Sequence, residues 1–405
     1  MLTSVATTSQ ADTASLDSIF TTIASVPSPA GAGGREPSVF ATTDGDVLMS
    51  WTEPEGAGFA VRMALFDGAT WAPAETIITS DELFVNWVDI PSVVAFEDGT
   101  LAAHWLQRAG RATYAYNVVL SLSKDGGESW ADPIVPHKDR QGVQHGFVSL
   151  LPRGEDMLVI WLDGREYAGG GADAPEGGFS DSMQLRATRL TAEGDLSEDI
   201  SVDARTCSCC QTSAALTGDG VAIVAYRDRT ETEIRDISVV RYSEDGWSEP
   251  VTVHRDGWQI AGCPVNGPAV DARGGNAVVA WFTAPDDKPA VMASFSEDGG
   301  RSFLPPHRLD LGGAIGRVDT IMLGDETALV SWVEWTEEGE ALMVCRVTLD
   351  EGCPSPTRLH LHTGPGSLNF PRMVAAPGGV IFAWTQPGAD IFGAEDRIQL
   401  LLGRL

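Results

Sequence analysis

Cys207, Cys209 and Cys210 fall within one short run, Cys207-Ser-Cys209-Cys210-Gln211, and Cys263 lies in a second unusual run, Gly262-Cys-Pro-Val-Asn-Gly-Pro268. Thiolates are soft donors, and thiolates joined by an imidazole select Cu(I) or Zn(II). His145 is the imidazole that the repeat described below brings to an equivalent position. In an extended segment Cys207 and Cys209 share a side while Cys210 faces away. A trigonal or tetrahedral site therefore draws on some of these three together with Cys263. Spacing does not separate copper from zinc. The same sulphurs serve as disulfides, for instance Cys207 or Cys209 with Cys263, or as buried thiols packing as small hydrophobes. Metal or reactive-thiol chemistry, a disulfide framework and inert thiols all stay open. Cys345 and Cys353 face each other across a turn and read as a local disulfide. The even total of 6 cysteines favours an oxidising compartment.

The elements that must position these residues repeat. Seven short apolar runs each end in a large aromatic, at Trp51, Trp105, Trp161, Tyr226, Trp281, Trp332 and Trp384. Such runs, bounded by Gly and Asp turns, predict strands buried on both faces. A shorter run precedes each of them and a third follows. The expected fold is all-β: one seven-bladed β-propeller over residues 1–405, with four-stranded antiparallel blades of about 55 residues. The seventh unit lacks a fourth strand, and the β-prone stretch Ser15–Ala24, within an N-terminal segment 1–34, is expected to supply it. A Gly-rich stretch, 167–178, reads as an exposed loop. In this architecture the connections entering inner strands and leaving second strands share one face. Arg35, Asp89, His145, the cysteines of both runs, Arg317 and Arg372 all gather there. His104 reads as a core histidine, whereas His254, His307, His360 and His362 read as surface residues.

Between third and fourth strands, Ser123-Lys-Asp125-Gly-Gly127-Glu-Ser-Trp130 and Ser296-Glu-Asp298-Gly-Gly300-Arg-Ser-Phe303 share an S-x-D-x-G-x-x-aromatic turn, with degenerate copies ending at Trp71 and Trp247. These turns resemble the Asp box, or BNR repeat, of sialidase-like propellers. The two cysteine runs resemble those of an uncharacterised subgroup of the same superfamily. Arg35-Glu-Pro37 resembles the early R-x-P of exo-sialidases. The resemblance implies that Arg35, Arg317 and Arg372 bind a carboxylate, for which arginine forks are suited, and that Asp89 is an acid. The chain departs from the family in two respects. It has seven units where exo-sialidases usually have six, and it lacks their late tyrosine nucleophile, its last tyrosine being Tyr242.

A net charge of −30 with only Lys124, Lys138 and Lys288 as lysines argues against nucleic acid as a partner. No apolar run approaches the roughly 18 residues of a membrane span. The first residues do not read as a signal peptide: either the protein is cytosolic or, as expected here, it is periplasmic or extracellular and its signal has been removed. Three functions follow: a propeller with a copper or zinc site, as metal-dependent enzyme or metal handler; a glycoside hydrolase built on the arginines and Asp89; or a non-catalytic binder of glycan or protein. In each, the ligand meets the axial face.

Overall fold

Apolar runs ending in a large aromatic become the second strand of every sheet in the computed structural model, which describes residues 19–139, 142–166, 183–389 and 395–405. The second strands are Val47–Glu55, Leu101–Arg108, Asp156–Asp163, Ala222–Arg227, Asn276–Thr283, Thr327–Thr336 and Gly379–Gln386. Each pairs on one side with an inner strand: Arg35–Ala41, Ser92–Ala95, His145–Arg153, Ser213–Leu216, Ala269–Arg273, Ala314–Gly324 and Arg372–Ala376. On its other side each pairs with a third strand, and all these pairings are antiparallel. The result is a seven-bladed propeller. Seven apolar clusters fill it, each centred between two neighbouring blades. That is why second strands are apolar on both faces.

The recurring aromatics carry a local rule. The indole N–H of Trp51, Trp161 and Trp332 donates to the carboxylate two residues on, at Glu53, Asp163 and Glu334, over 2.7, 2.7 and 2.9 Å. Residues i and i+2 of a strand share a side, so W-x-acid satisfies a buried donor within one strand. Blade 5 has Thr283 at that position, and Asp256 accepts from Trp281 instead. Blades 2 and 7 have Gln107 and Gln386, and the indoles of Trp105 and Trp384 find no hydrogen-bond partner among the described residues. Carboxylates at the second-strand exits of blades 1, 3 and 6 are thus each engaged by a tryptophan of their own strand.

Two outer strands depart from expectation. In blade 2 Pro133 and Pro136 remove ladder donors, and a single bridge, Leu120 to Ile134, stands where a strand was expected. In blade 4 Pro250 helps to split the outer position into Gly246–Trp247 and Val251–Thr252. The loop expected over 167–178 lies outside the described residues.

Closure follows the expected principle with a shifted register. The strand that completes blade 7 is Thr22–Val26, paired with Arg397–Arg404 from Thr22 opposite Arg404 to Val26 opposite Leu400. Ser15–Ser18 lie outside the described residues. Ile19 and Phe20 do not join the strand but anchor it: Phe20 is 1% exposed and meets Phe382 edge-on at 5.9 Å. A Cβ at Gly403 would come within 2.6 Å of the Phe20 ring, so that glycine makes room for the anchor. Phe20→Ala is expected to cost about 3–5 kcal/mol in chemical denaturation. Removal of residues 1–28 is expected to destabilise the whole ring by leaving an open edge. A truncated protein with unchanged unfolding would show that closure lies elsewhere.

Candidate functional site

The axial face is shaped by backbone that the ladder cannot hold. Glu36, Phe147 and Arg317, each near the start of an inner strand, all have φ of 56°. The pairing register slips at each of these places. A left-handed non-glycine residue costs on the order of 1–2 kcal/mol. The freed N–H of each turns to a side chain of the preceding blade: Glu36 to Thr385 Oγ1 at 2.8 Å, Phe147 to Asp89 Oδ1 at 2.7 Å, and Arg317 to Asn266 Oδ1 at 2.8 Å.

These contacts place the expected acid. Asp89 is 3% exposed and sits between blades 2 and 3, where its other oxygen accepts the Tyr116 hydroxyl at 3.4 Å. A Cβ on Gly146 would overlap that oxygen. Burial pushes the Asp89 carboxyl up to about 7, against the hydrogen bonds from Phe147 and Tyr116. Glu36 is raised to about 7 by burial as well.

Both cysteine runs double as staples. Gln211 sends its amide N–H to the Val88 carbonyl at 2.9 Å, and its Oε1 accepts the Gly267 N–H at 3.0 Å, tying blade 4 to loops of blades 2 and 5. Gly267 passes so close that a Cβ would lie 2.1 Å from the Gln211 carbonyl oxygen. Thr212 bonds the Phe147 carbonyl of blade 3 at 2.9 Å. Among the sulphurs, Cys207 is bonded to Cys210 and Cys209 to Cys263, the second bond stapling blade 4 to the entry of blade 5. Cys207 and Cys209 Sγ lie 3.9 Å apart, and the buried Arg235 guanidinium reaches Cys207 Sγ at 3.5 Å. Cys207 and Cys210 are buried, whereas Cys263 is exposed. Cys345 and Cys353 form the expected local bond.

His145 does not turn to the sulphurs. Its Nδ1 lies 3.2 Å from the Tyr116 carbonyl oxygen and its Nε2 3.0 Å from Asp139 Oδ1. His104 is a core residue as expected, wholly buried beside Ser92, and burial lowers it to about 3. His254 is exposed as expected, but His362 is buried, accepting the Gln386 amide and facing the Pro365 carbonyl.

Two of the three arginines meet at the mouth of the axis, through aromatics that carried no sequence signal. Trp87, 41% exposed, stacks on Phe370 with centroids 5.9 Å apart and planes 26° apart. Arg317 Cζ lies 5.4 Å from the Trp87 ring, and Arg372 Cζ 5.9 Å from the Phe370 ring. Arg317 also donates to Ser367 Oγ at 2.7 Å and to the Leu368 carbonyl. Arg35 points elsewhere, with Cζ 5.7 Å from the Phe59 ring and its Nε 3.9 Å from Asp396. The inner strands of six blades line an axial cavity of about 210 Å³, with Asp319 and Arg372 as its charged residues. That is below the roughly 300–1,000 Å³ usual for small-molecule pockets.

No family model and no curated protein matches the sequence. Among solved structures, the chain is similar to the polysaccharide lyase Uly1, at 11% identity and a TM-score of 0.55, over 92% of this chain and 90% of that one. It is also similar to an ulvan lyase described as a new family of polysaccharide lyase, at 14% identity and a TM-score of 0.49, over 77% and 78% of the two chains. For the Trypanosoma rangeli sialidase the figures are 10% identity, a TM-score of 0.48, and 83% and 56% of the two chains. At such identities the likeness to Uly1 is one of fold alone: this chain shares its propeller.

Asp89 sets a pH dependence. Its folded value, about 7, lies above the ordinary unfolded value of about 3.9, so the folded state keeps a proton that the unfolded state releases. Stability therefore falls as pH rises from about 4 to 7. Asp89→Asn is expected to remove part of that fall, on the order of 1–4 kcal/mol, by denaturation at both ends of the window. An unchanged slope would mean that Asp89 is ionised in the fold.

Proposed function

We propose that this propeller is an exported protein whose axial mouth takes an acidic saccharide. The observation that carries the reading is the exposed Trp87 ring with the Arg317 guanidinium beside it and Phe370 and Arg372 adjoining. An exposed flat aromatic offers the apolar face of a sugar a surface, and a guanidinium fork matches a carboxylate or sulfate. Gln211, bonded to the Val88 carbonyl, holds the Trp87 loop across the mouth. The lyases and sialidases that share the fold act on or are named for glycans, which accords with this ligand class. Three disulfides suit an oxidising, non-cytoplasmic compartment. The reading is one of binding: both Asp89 oxygens are taken up between blades, so hydrolysis by Asp89 as the acid would need a rearrangement there. Calorimetry with sialyl and uronic-acid oligosaccharides is expected to show binding that Trp87→Ala weakens at least tenfold, a loss of about 1.4 kcal/mol, and that Arg317→Gln weakens for acidic sugars only. Equal affinity for neutral sugars, or an indifferent Trp87→Ala, would overturn it. Turnover of a fluorogenic sialoside, abolished in Arg372→Ala, would instead support the hydrolase.

A second reading rests on the convergence of the sulphurs of Cys207, Cys209 and Cys210, which lie within 4.8 Å of one another, with Cys263 bonded to Cys209. Reduced, they offer soft donors for Cu(I) or Zn(II); bonded in pairs they offer none. Elemental analysis with a thiol count distinguishes the states. Protein with no free thiols and no metal stays with the disulfides. Stoichiometric copper or zinc that is lost in Cys209→Ser or Cys263→Ser would establish the metal site.

A further inference from the structure

The turn that leads into blade 5 is tied by sulphur at one end and holds residues of the axial mouth at the other. Cys263 is exposed and Cys209 half-buried, whereas Cys207, Cys210 and Cys345 are buried. The Cys209–Cys263 bond is therefore the one that solvent reaches most readily. Among the described residues no acceptor meets the backbone N–H of Ala261, Gly262, Cys263 or Val265. Position 264 is proline, which has no N–H to offer. Over these five residues the backbone donates to nothing, and the sulphur of Cys209 is its covalent tie.

Inside this stretch Val265 has φ of 52°. A β-branched residue in the left-handed region is a strained outlier, and it persists only where its surroundings over-determine it. Before it stands the Cys209–Cys263 bond. After it stands Asn266, whose carbonyl accepts the buried Arg227 guanidinium at 2.9 Å. The Asn266 amide N–H groups reach the Pro264 carbonyl at 3.2 Å and the Ile315 carbonyl at 3.1 Å, and its Oδ1 accepts the Arg317 N–H at 2.8 Å. Gly267 donates to Gln211, which in turn holds Val88. Val265 packs beside the apolar cluster that contains Val88 and Phe370. The strained turn thus touches both halves of the mouth, Arg317 through Asn266 and the Trp87 loop through Gly267, Gln211 and Val88.

We propose that the Cys209–Cys263 bond is a redox latch on the axial mouth. One thiolate of a dithiol reductant attacks the exposed Cys263 sulphur, the S–S bond breaks, and Cys209 leaves as thiolate. The second thiol of the reductant then displaces Cys263, and the reductant ends as a disulfide. Two electrons and two protons pass to Cys209 and Cys263. Exposed disulfides are the labile and regulatory ones, since access sets the rate of exchange. Once Cys263 is free, Val265 returns to extended backbone. That movement draws Asn266 away from Arg317 and Gly267 away from Gln211, which slackens the mouth. The latch acts whatever the mouth binds, and it uses the sulphurs as a disulfide rather than as metal donors.

The test uses oxidised full-length protein with chelator present, titrated with dithiothreitol as the dithiol. Trapping with iodoacetamide and peptide mapping are expected to find Cys209 and Cys263 alkylated before Cys207, Cys210, Cys345 or Cys353. At that point hydrogen exchange of the Gly267 and Arg317 amides is expected to quicken about tenfold or more, with the blade 1 ladder over 38–41 unchanged. The Cys209→Ser, Cys263→Ser double variant should show the same quickening without reductant. Exchange at Gly267 and Arg317 that ignores the opened bond overturns the proposal, as does earlier opening of Cys207–Cys210 or Cys345–Cys353. Protein that carries no Cys209–Cys263 bond to reduce overturns it as well. Quickening over every blade would mean a staple of the whole ring rather than a latch. If the double variant does not fold, the partly reduced wild-type protein decides.

Discussion

Every inner strand of this propeller must start at a ring of limited radius, and three of them do so by turning a non-glycine residue left-handed, with φ of 56° at Glu36, Phe147 and Arg317. Such a turn removes an N–H from the ladder, and a buried donor left unpaired costs about 1–3 kcal/mol. The neighbouring blade supplies the acceptor in each case, as Thr385, Asp89 and Asn266. The same logic continues along the axis, where Asp271 and Asp319 accept the N–H groups of Met322 and Met373 from the next blade at 2.6 and 2.7 Å. Blade-to-blade adhesion in a propeller is otherwise apolar and non-directional. These polar staples add register to it.

The staples also decide what the axial face offers. Asp89 and Asn266 are drawn inward to hold backbone, and Glu53, Asp163 and Glu334 accept indole N–H groups. What is left at the mouth is a ring system held from several sides. Trp87 is fixed by Gln211 through Val88, by Phe370 through stacking and by Arg317 through its guanidinium. Residues from blades 2, 4, 6 and 7 therefore set the position of one aromatic, an arrangement that a single hairpin does not provide.

The cysteine runs show how motif and role part company. Cys-x-Cys-Cys-Gln-Thr and Gly-Cys-Pro-Val-Asn-Gly-Pro attract a reading through their sulphurs, yet several neighbouring residues of both runs are structural. Gln211, Thr212, Asn266 and Gly267 join blades 2 to 6 through side-chain amides, a hydroxyl and one position with no room for a Cβ. Sulphur pairing then adds a covalent link, Cys209 to Cys263, on the same line.

The sequence alone determined the seven-fold repeat, the buried second strands and the closure of the ring by its N-terminus, because these depend on local apolar runs and turns. Trp-x-acid pairs and the Cys345–Cys353 bond are local for the same reason. Closure began later than the β-prone stretch suggested, since Ile19 and Phe20 bury as anchors and only Thr22–Val26 pairs. Tertiary structure alone decided which residues meet across the axis. Arg317 and Arg372 flank Trp87 and Phe370, Arg35 faces Phe59, and His145 faces His137 and Asp139. Sequence spacing places residues on a blade and at one end of it. The direction of a side chain at that end depends on bulges and on partners from other blades, and no local pattern in the chain encodes those.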